Sequence, residues 1–129
     1  MIKFIRKTAA LTLLLLSLAN INLVQAQDRA IHQTLRFARG TTHADLYKRI
    51  VRGTPHVYHF RARRGQYMSV VLKTGENTSF SIYSLKTGQI ENADGVWDWD
   101  GTLPDTGEYI IEIGTDRTAD YSLMVSIEN

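Results

Sequence analysis

Apolar and polar residues alternate with a period of two through the centre of the chain, from Val57 to Leu72. The apolar positions are Tyr58, Phe60 and Ala62 in a first segment and Met68, Val70 and Leu72 in a second. Four residues that include Gly65 separate the two segments. This pattern predicts two half-buried antiparallel strands joined as a hairpin, because strand residues two apart share a face.

The same period recurs about every ten residues on both sides of this segment. The alternating apolar positions are Leu35 and Phe37; Leu46 and Ile50; Phe80 and Ile82; Tyr109, Ile111 and Ile113; and Tyr121, Leu123, Val125 and Ile127. A short leader (28–33) precedes the first of these segments, and a loop (114–119) joins the last two as a hairpin. Residues 90–100 are the least regular and contain Trp97 and Trp99, of which we expect one in the core. No helical period follows residue 26, so we predict an all-β, jelly-roll-like antiparallel sandwich of seven or eight strands.

The first 26 residues have the features of a targeting segment. Lys3, Arg6 and Lys7 precede an apolar run from Thr8 to Leu18, and small side chains follow at Val24 and Ala26. This run is short for a membrane-spanning helix. We therefore expect a signal peptide that is cleaved after Ala26, and a single exported domain over 27–129, located in the periplasm or secreted, with no membrane attachment after cleavage.

Charge does not indicate a nucleic-acid partner. Without residues 1–26 the chain has 12 basic and 13 acidic residues, a formal charge of −1. The two halves differ: residues 27–73 have a balance of +8 and residues 74–129 one of −9. Either strands from the two halves interleave and neutralise each other, or the molecule has one basic and one acidic face. The chain contains no cysteine, so burial and sheet pairing must stabilise it without disulfides.

Histidines and acids are the candidates for a metal site. His56 and His59 are three apart on one predicted strand and therefore point to opposite faces, so they cannot chelate one ion. His32 and His43 have no partner at a fixed spacing, and we expect no metal site of histidines. Asp94, Asp98 and Asp100 lie in a turn-rich segment, where they form either a solvated acidic loop or a calcium site. No nucleophile motif or enclosed pair of carboxylates is present, so we expect no enzyme and no cofactor.

Two segments resemble a known family. The run F-A-R-G-T-T-H-A-D-L-Y-K-R-I-V-R-G-T-P-H-V-Y-H-F-R-A-R-R-G-Q (Phe37–Gln66) is similar to the periplasmic inhibitors of g-type (goose-type) lysozyme. The later L-P-D-T-G-E-Y-I-I-E-I (Leu103–Ile113) is similar to the Leu-Pro-x-x-Gly-x-Tyr segment of that family and of bacterial pre-peptidase C-terminal domains. The resemblance implies a pre-peptidase-like β-sandwich whose partner is a g-type lysozyme.

An inhibitor of this family would act by occlusion, with loops at one end of the sandwich filling the substrate cleft of the lysozyme. A basic side chain would then pair with the catalytic carboxylate of the enzyme. From loop placement we expect Arg117, His43 and Tyr47 to contact the partner, and a monomer or a homodimer. The alternative is a non-catalytic binding module of the same fold that contacts carbohydrate or protein, steadied by calcium at Asp94, Asp98 and Asp100.

Overall fold

The computed structural model describes residues 30–37, 42–75 and 77–129. Within these residues there are nine strands and no helix, and hence no helix that could cross a membrane. The strands are β1 (Ile31–Thr34), β2 (His43–Ile50), β3 (His56–Ala62), β4 (Tyr67–Thr74), β5 (Thr78–Ser84), β6 (Gly88–Gln89), β7 (Asp98–Thr102), β8 (Gly107–Thr115) and β9 (Ala119–Glu128). The predicted signal peptide lies outside the described residues.

The strands form two sheets that enclose one core. The five-stranded sheet has the order β1-β3-β8-β5-β6, and the four-stranded sheet has the order β2-β9-β4-β7. All pairs are antiparallel except β1 with β3, which are parallel. The prediction of an all-β sandwich is confirmed. The count rises to nine because β1 and β6 are short, with four and two residues.

The predicted central hairpin is wrong. β3 pairs with β1 and β8 in one sheet, whereas β4 pairs with β9 and β7 in the other. Residues 63–66 therefore cross between the layers, a separation of about 10 Å that four residues span easily. Residues 116–118 likewise carry the chain from β8 to β9 in the opposite sheet, so these two strands are not a hairpin either. The alternation shows which face of a strand is buried, but it does not specify the neighbouring strand.

The first strand was also predicted in the wrong place. The leader contributes β1, whereas Leu35 and Phe37 follow that strand and point inward as expected, Leu35 buried and Phe37 partly buried. All four residues of β1 are exposed, and its sequence I-H-Q-T does not alternate between apolar and polar residues. Backbone hydrogen bonds hold the strand: the Ile31 amide donates to the Pro55 carbonyl at 2.8 Å, and the Leu35 amide donates to the His59 carbonyl at 2.7 Å.

The core lies between the inner faces of both sheets. Its largest fully buried side chains are Tyr58, Tyr109, Tyr121, Phe80, Ile50, Met68, Ile82, Leu103, Ile111, Ile113, Leu123 and Val70. Phe60 stacks on Tyr109 with ring centroids 5.5 Å apart. Of the two tryptophans, Trp99 packs partly buried against this core, whereas Trp97 is 58% exposed.

The two sheets differ in how they distribute the strands of the basic and acidic halves of the chain. In the four-stranded sheet, strands of the basic half (β2 and β4) alternate with strands of the acidic half (β9 and β7). Arg49 of β2 accordingly pairs with Asp120 of β9. In the five-stranded sheet, β1 and β3 lie together at one side, next to β8, β5 and β6 of the acidic half. The interleaved arrangement therefore holds for one sheet only.

Candidate functional site

The strand directions define two ends of the sandwich. The Arg117 end consists of the connections β2–β3 (51–55), β4–β5 (75 and 77 in the described part) and β8–β9 (116–118). The opposite end, called here the Arg63 end, consists of the connections 63–66, 85–87 and 103–106. Each end is a cluster of turns presented by rigid strands, which is the usual location of binding residues.

The structure separates the three residues predicted to contact a partner. Arg117 lies in the 116–118 connection, and Tyr47 lies on the outer face of β2, opposite Ser122. His43 begins β2, opposite Ser126, at the Arg63 end. Seven residue steps separate His43 from Ile50, which is about 23 Å along a strand. Tyr47 therefore lies in the half of β2 that is nearer to the 116–118 connection, and the expectation that His43 lies at the same end is wrong because β2 begins at the Arg63 end.

Hydrogen bonds hold the connection around Arg117 in one conformation. The Arg117 amide donates to Thr115 Oγ1 at 3.2 Å, and the Thr115 hydroxyl donates to the Arg117 carbonyl. The Asp116 amide donates to the Asn77 carbonyl at 3.0 Å, and the Arg52 amide donates to Thr118 Oγ1 at 3.4 Å. Neighbouring connections are thus tied together, and the Arg117 side chain is exposed with no ion pair in the described part of the chain.

Exposed apolar and basic side chains adjoin Arg117 along β2 and the turn that follows it. Tyr47 is 72% exposed and Val51 is 53% exposed. Arg49 lies between them on the same face, with Nε 2.9 Å from Asp120 Oδ1 and Nη2 3.4 Å from Asp120 Oδ2. This pair lowers the pKa of the Asp120 carboxyl through the hydrogen bond from Arg49. Tyrosine and arginine are enriched among residues that dominate protein–protein affinity.

Sequence reasoning missed Arg49, Val51 and Arg52 as members of this surface. The signal was present: Y-K-R-I-V-R (47–52) places exposed apolar side chains among three basic residues. It was obscured because Ile50 and Val51 read as the end of a buried strand. In the structure only Ile50 is buried, and Val51 already belongs to the turn region.

A buried polar network supports the Arg117 end from below. His56, the first residue of β3, has Nδ1 2.7 Å from the Tyr121 hydroxyl, and the Tyr58 hydroxyl bonds the same oxygen. Burial lowers the pKa of His56, and the positive charge of Lys48 lowers it further. Burial, followed by the hydrogen bond to Tyr58, raises the pKa of Tyr121. These neutral side chains link β3 of one sheet to β9 of the other directly beneath the connection 51–55.

The structure does not assemble the predicted acidic site. Asp94 accepts a hydrogen bond from Ser81 Oγ at 3.0 Å on the five-stranded sheet, whereas Asp100 accepts one from the Tyr67 hydroxyl on the four-stranded sheet. Asp98 lies opposite Val71 in β7. No three histidines or acids among residues 30–37, 42–75 and 77–129 come close enough to hold a metal ion. The arrangement is that of three carboxylates on separate surface positions.

A groove of about 310 Å³ lies between β6 and β7, at the side of the sandwich. Trp99 forms one wall, with Glu91 and Asp100 among the polar lining residues. The Trp99 indole N–H donates to the Glu91 carbonyl at 3.1 Å. An aromatic wall beside polar groups is a general feature of sites that bind sugars.

Comparison with solved structures identifies the fold. The chain superposes on PliG from Aeromonas hydrophila, a periplasmic inhibitor of g-type lysozyme, with a TM-score of 0.69 and 26% identity over 77% of this chain and 97% of that chain. The fold is that of the periplasmic g-type lysozyme inhibitors. PliG from Salmonella Typhimurium gives a TM-score of 0.60 with 21% identity, over 76% of this chain and 98% of the other.

More distant matches define the wider fold. The pre-peptidase C-terminal domain of Bacillus anthracis collagenase has a TM-score of 0.54 and 11% identity, over 75% of this chain and 94% of that domain. No protein-family model and no curated protein sequence matches the chain. The structural matches nevertheless confirm the resemblance that Phe37–Gln66 and Leu103–Ile113 predicted.

Proposed function

We propose that this protein is exported to the periplasm, where it inhibits a g-type lysozyme by inserting the Arg117 end into the substrate cleft of the enzyme. The observation that carries the proposal is the match to Aeromonas hydrophila PliG, which extends over 97% of that inhibitor at 26% identity. Export rests on the N-terminal segment, whose cleavage after Ala26 would leave a mature chain that begins shortly before β1. The action is binding, not catalysis.

The Arg117 end suits a cleft because it combines a hydrogen-bonded connection with an exposed cation. The connection around Arg117 is hydrogen-bonded to Thr115 and Asn77, so little conformational entropy would be lost on binding. An arginine that enters a desolvated groove and meets a carboxylate forms charge-assisted hydrogen bonds, often two in parallel. Tyr47 and Val51 would contact the rim of the cleft and exclude water from that pair.

Titration calorimetry of the mature protein with a g-type lysozyme tests the proposal. We expect saturable binding with one inhibitor per enzyme, and no binding to a c-type lysozyme, whose cleft is a different partner surface. Arg117→Ala should weaken affinity by at least about 30-fold, the loss of about 2 kcal/mol that marks a dominant interface residue.

Arg63→Ala is the matched control, because Arg63 is an exposed arginine at the opposite end, where its Nη2 donates to Asn129 Oδ1 at 2.8 Å. Its affinity should stay within about twofold of the parent. If Arg117→Ala binds as tightly as the parent, the assignment of the Arg117 end fails while inhibition stands. If the parent protein does not bind g-type lysozyme, the proposed function itself fails.

One observation favours a second candidate function, the binding of a carbohydrate in the groove beside Trp99. The groove combines an aromatic wall with the side chains of Glu91 and Asp100. Titration with soluble peptidoglycan fragments, followed by tryptophan fluorescence, should then change the emission of the parent protein but not that of Trp99→Phe. An unchanged parent spectrum at saturating fragment rules out this second function and leaves lysozyme binding unaffected.

A further inference from the structure

Two histidines that are far apart in sequence meet on the outer face of the five-stranded sheet. The parallel register places His32 beside Val57 and Thr34 beside His59, so His32 and His59 occupy diagonal positions on one face. His32 Nδ1 lies 2.9 Å from His59 Nε2, and the ring centroids are 5.2 Å apart. No partner of His32 was predictable from the sequence, because the strand that contains it is recognisable only from backbone pairing.

A carboxylate on the next strand fixes the orientation of one of these rings. Glu108 Oε1 lies 3.2 Å from His59 Nδ1. A carboxylate only accepts hydrogen bonds, so Nδ1 of His59 is the protonated nitrogen and its Nε2 presents a lone pair. His32 Nδ1–H then donates to that lone pair. A carboxylate that accepts a hydrogen bond from the second ring nitrogen is a usual outer partner of a metal-binding imidazole.

We propose that His32 and His59 form a binding site for a divalent transition metal, with Cu²⁺ preferred, in which Glu108 orients His59. Two imidazole nitrogens about 2.0–2.1 Å from one ion and at a right angle are roughly 2.9 Å apart, whereas tetrahedral ligands are roughly 3.4 Å apart. The observed separation is that of the hydrogen bond between the two rings, and it is also close to the right-angled value, so a rotation of the rings would let both nitrogens meet one ion. It therefore matches neighbouring ligands in the tetragonal geometry of Cu²⁺, which also stands highest among divalent ions in affinity for nitrogen ligands.

Metal binding changes the tautomer of His32. In the metal-free protein the proton on His32 Nδ1 lies between the two nitrogens. Binding replaces this hydrogen bond by two metal–nitrogen bonds and turns both rings towards the ion, while the His32 proton moves through solvent to Nε2, so that each ring stays neutral. Water completes the coordination, since His32 is exposed and the His59 side chain is 31% exposed. Arg61 lies on the same face, and its positive charge disfavours a bound cation. The negative charge of Glu108, the register partner of Arg61, offsets this repulsion.

The site is separate from the proposed lysozyme contact. It lies on the five-stranded sheet, whereas Tyr47 lies on the outer face of the four-stranded sheet. A bound ion would join β1 to β3 by side-chain ligation in addition to backbone hydrogen bonds. Metal binding should therefore protect β1 from local opening without changing lysozyme affinity, and either proposal can fail while the other stands.

Calorimetric titration of the mature chain with Cu²⁺, in a weakly coordinating buffer at neutral pH, tests the site, with electron paramagnetic resonance as the structural readout. We expect one Cu²⁺ per chain and a spectrum with hyperfine coupling to two imidazole nitrogens. His32→Ala and His59→Ala should each abolish that two-nitrogen signature. Glu108→Gln should keep the signature but weaken affinity by about 10- to 100-fold, as expected for an outer partner of a metal ligand.

His43→Ala is the control, since it removes an exposed imidazole from the other sheet. It should leave the Cu²⁺ affinity and spectrum unchanged, and thermal melts of every variant verify folding. A Cu²⁺ affinity in His32→Ala equal to that of the parent would overturn the proposal by showing that the ion binds elsewhere, for example at the N-terminal amine. Absence of Cu²⁺ binding by the folded parent would overturn it as well, leaving the cluster a hydrogen-bonded histidine pair.

Discussion

Removal of one hydroxyl, by Tyr121→Phe, should destabilise the sandwich more than removal of its neighbour by Tyr58→Phe. The Tyr121 hydroxyl is the centre of the buried network: it bonds His56 Nδ1 at 2.7 Å and also the Tyr58 hydroxyl. Without it, two buried polar groups lose their partner. Without the Tyr58 hydroxyl, the bond between Tyr121 and His56 remains.

The expected magnitudes follow from this difference. A buried polar group left unpaired costs about 1–3 kcal/mol, and the two groups share one site, so Tyr121→Phe should lower the free energy of unfolding by about 2–4 kcal/mol. Tyr58→Phe removes only one net hydrogen bond, for which about 0.5–1.5 kcal/mol is typical. In a domain of this size each 1 kcal/mol corresponds to about 4–8 °C in melting temperature.

Urea denaturation of both variants and the parent at pH 7.5, followed by circular dichroism, gives the comparison. The dependence of the unfolding free energy on urea should be the same for all three, because the exposed surface does not change, and only the midpoints should differ. A midpoint for Tyr121→Phe at or above that of Tyr58→Phe would show that the network does not hold the two sheets together as described.

Three further outcomes are expected. Burial lowers the pKa of His56 from its ordinary value of 6.5, so below pH 6.5 the unfolded chain binds a proton that the folded protein does not. The free energy of unfolding from urea melts should therefore decrease as the pH falls below 6.5, by at most about 1.4 kcal/mol per pH unit. A free energy of unfolding that does not change with pH in this range would contradict the prediction. Gly101→Ala would place its Cβ 2.8 Å from Trp99 Cζ2, so it should lower the free energy of unfolding by about 1–3 kcal/mol. It should also shift the tryptophan emission, because the displaced Trp99 indole loses its hydrogen bond to the Glu91 carbonyl, and an unchanged emission would contradict this. Lys48 is an exposed charge on the core-facing side of the edge strand β2, where an inward-pointing charge hinders pairing with the edge of a second molecule. Lys48→Val should therefore promote self-association, measured by size-exclusion chromatography. A variant that elutes like the parent would show that this edge is protected by other means.

The buried faces of the strands were predictable, whereas their partners were not. Tyr109, Ile111 and Ile113 alternate with exposed or partly exposed neighbours, and all three are fully buried as the period of two requires. The same period cannot distinguish a hairpin from two strands that face each other across the core. Both arrangements bury alternate residues, and for this reason the connection at 63–66 was interpreted incorrectly.

The candidate site, too, was only partly predictable from the sequence. Arg117 and Tyr47 were both proposed from loop placement, and the structure places Arg117 in a connection and Tyr47 on the outer face of β2, opposite Ser122. His43 was added by proximity in sequence, which fails because an eight-residue strand carries the chain to the other end of the domain. The pairing of His32 with His59 depends on parallel strands that are 27 residues apart, a relation that no local spacing expresses.

The most direct measurement of the central claim is the rate at which a g-type lysozyme clears a suspension of bacterial cell walls in the presence of the mature protein. We expect an equimolar amount to slow clearing strongly, excess protein to stop it, and Arg117→Ala to restore most of the rate. A clearing rate unchanged by an excess of folded protein would contradict it.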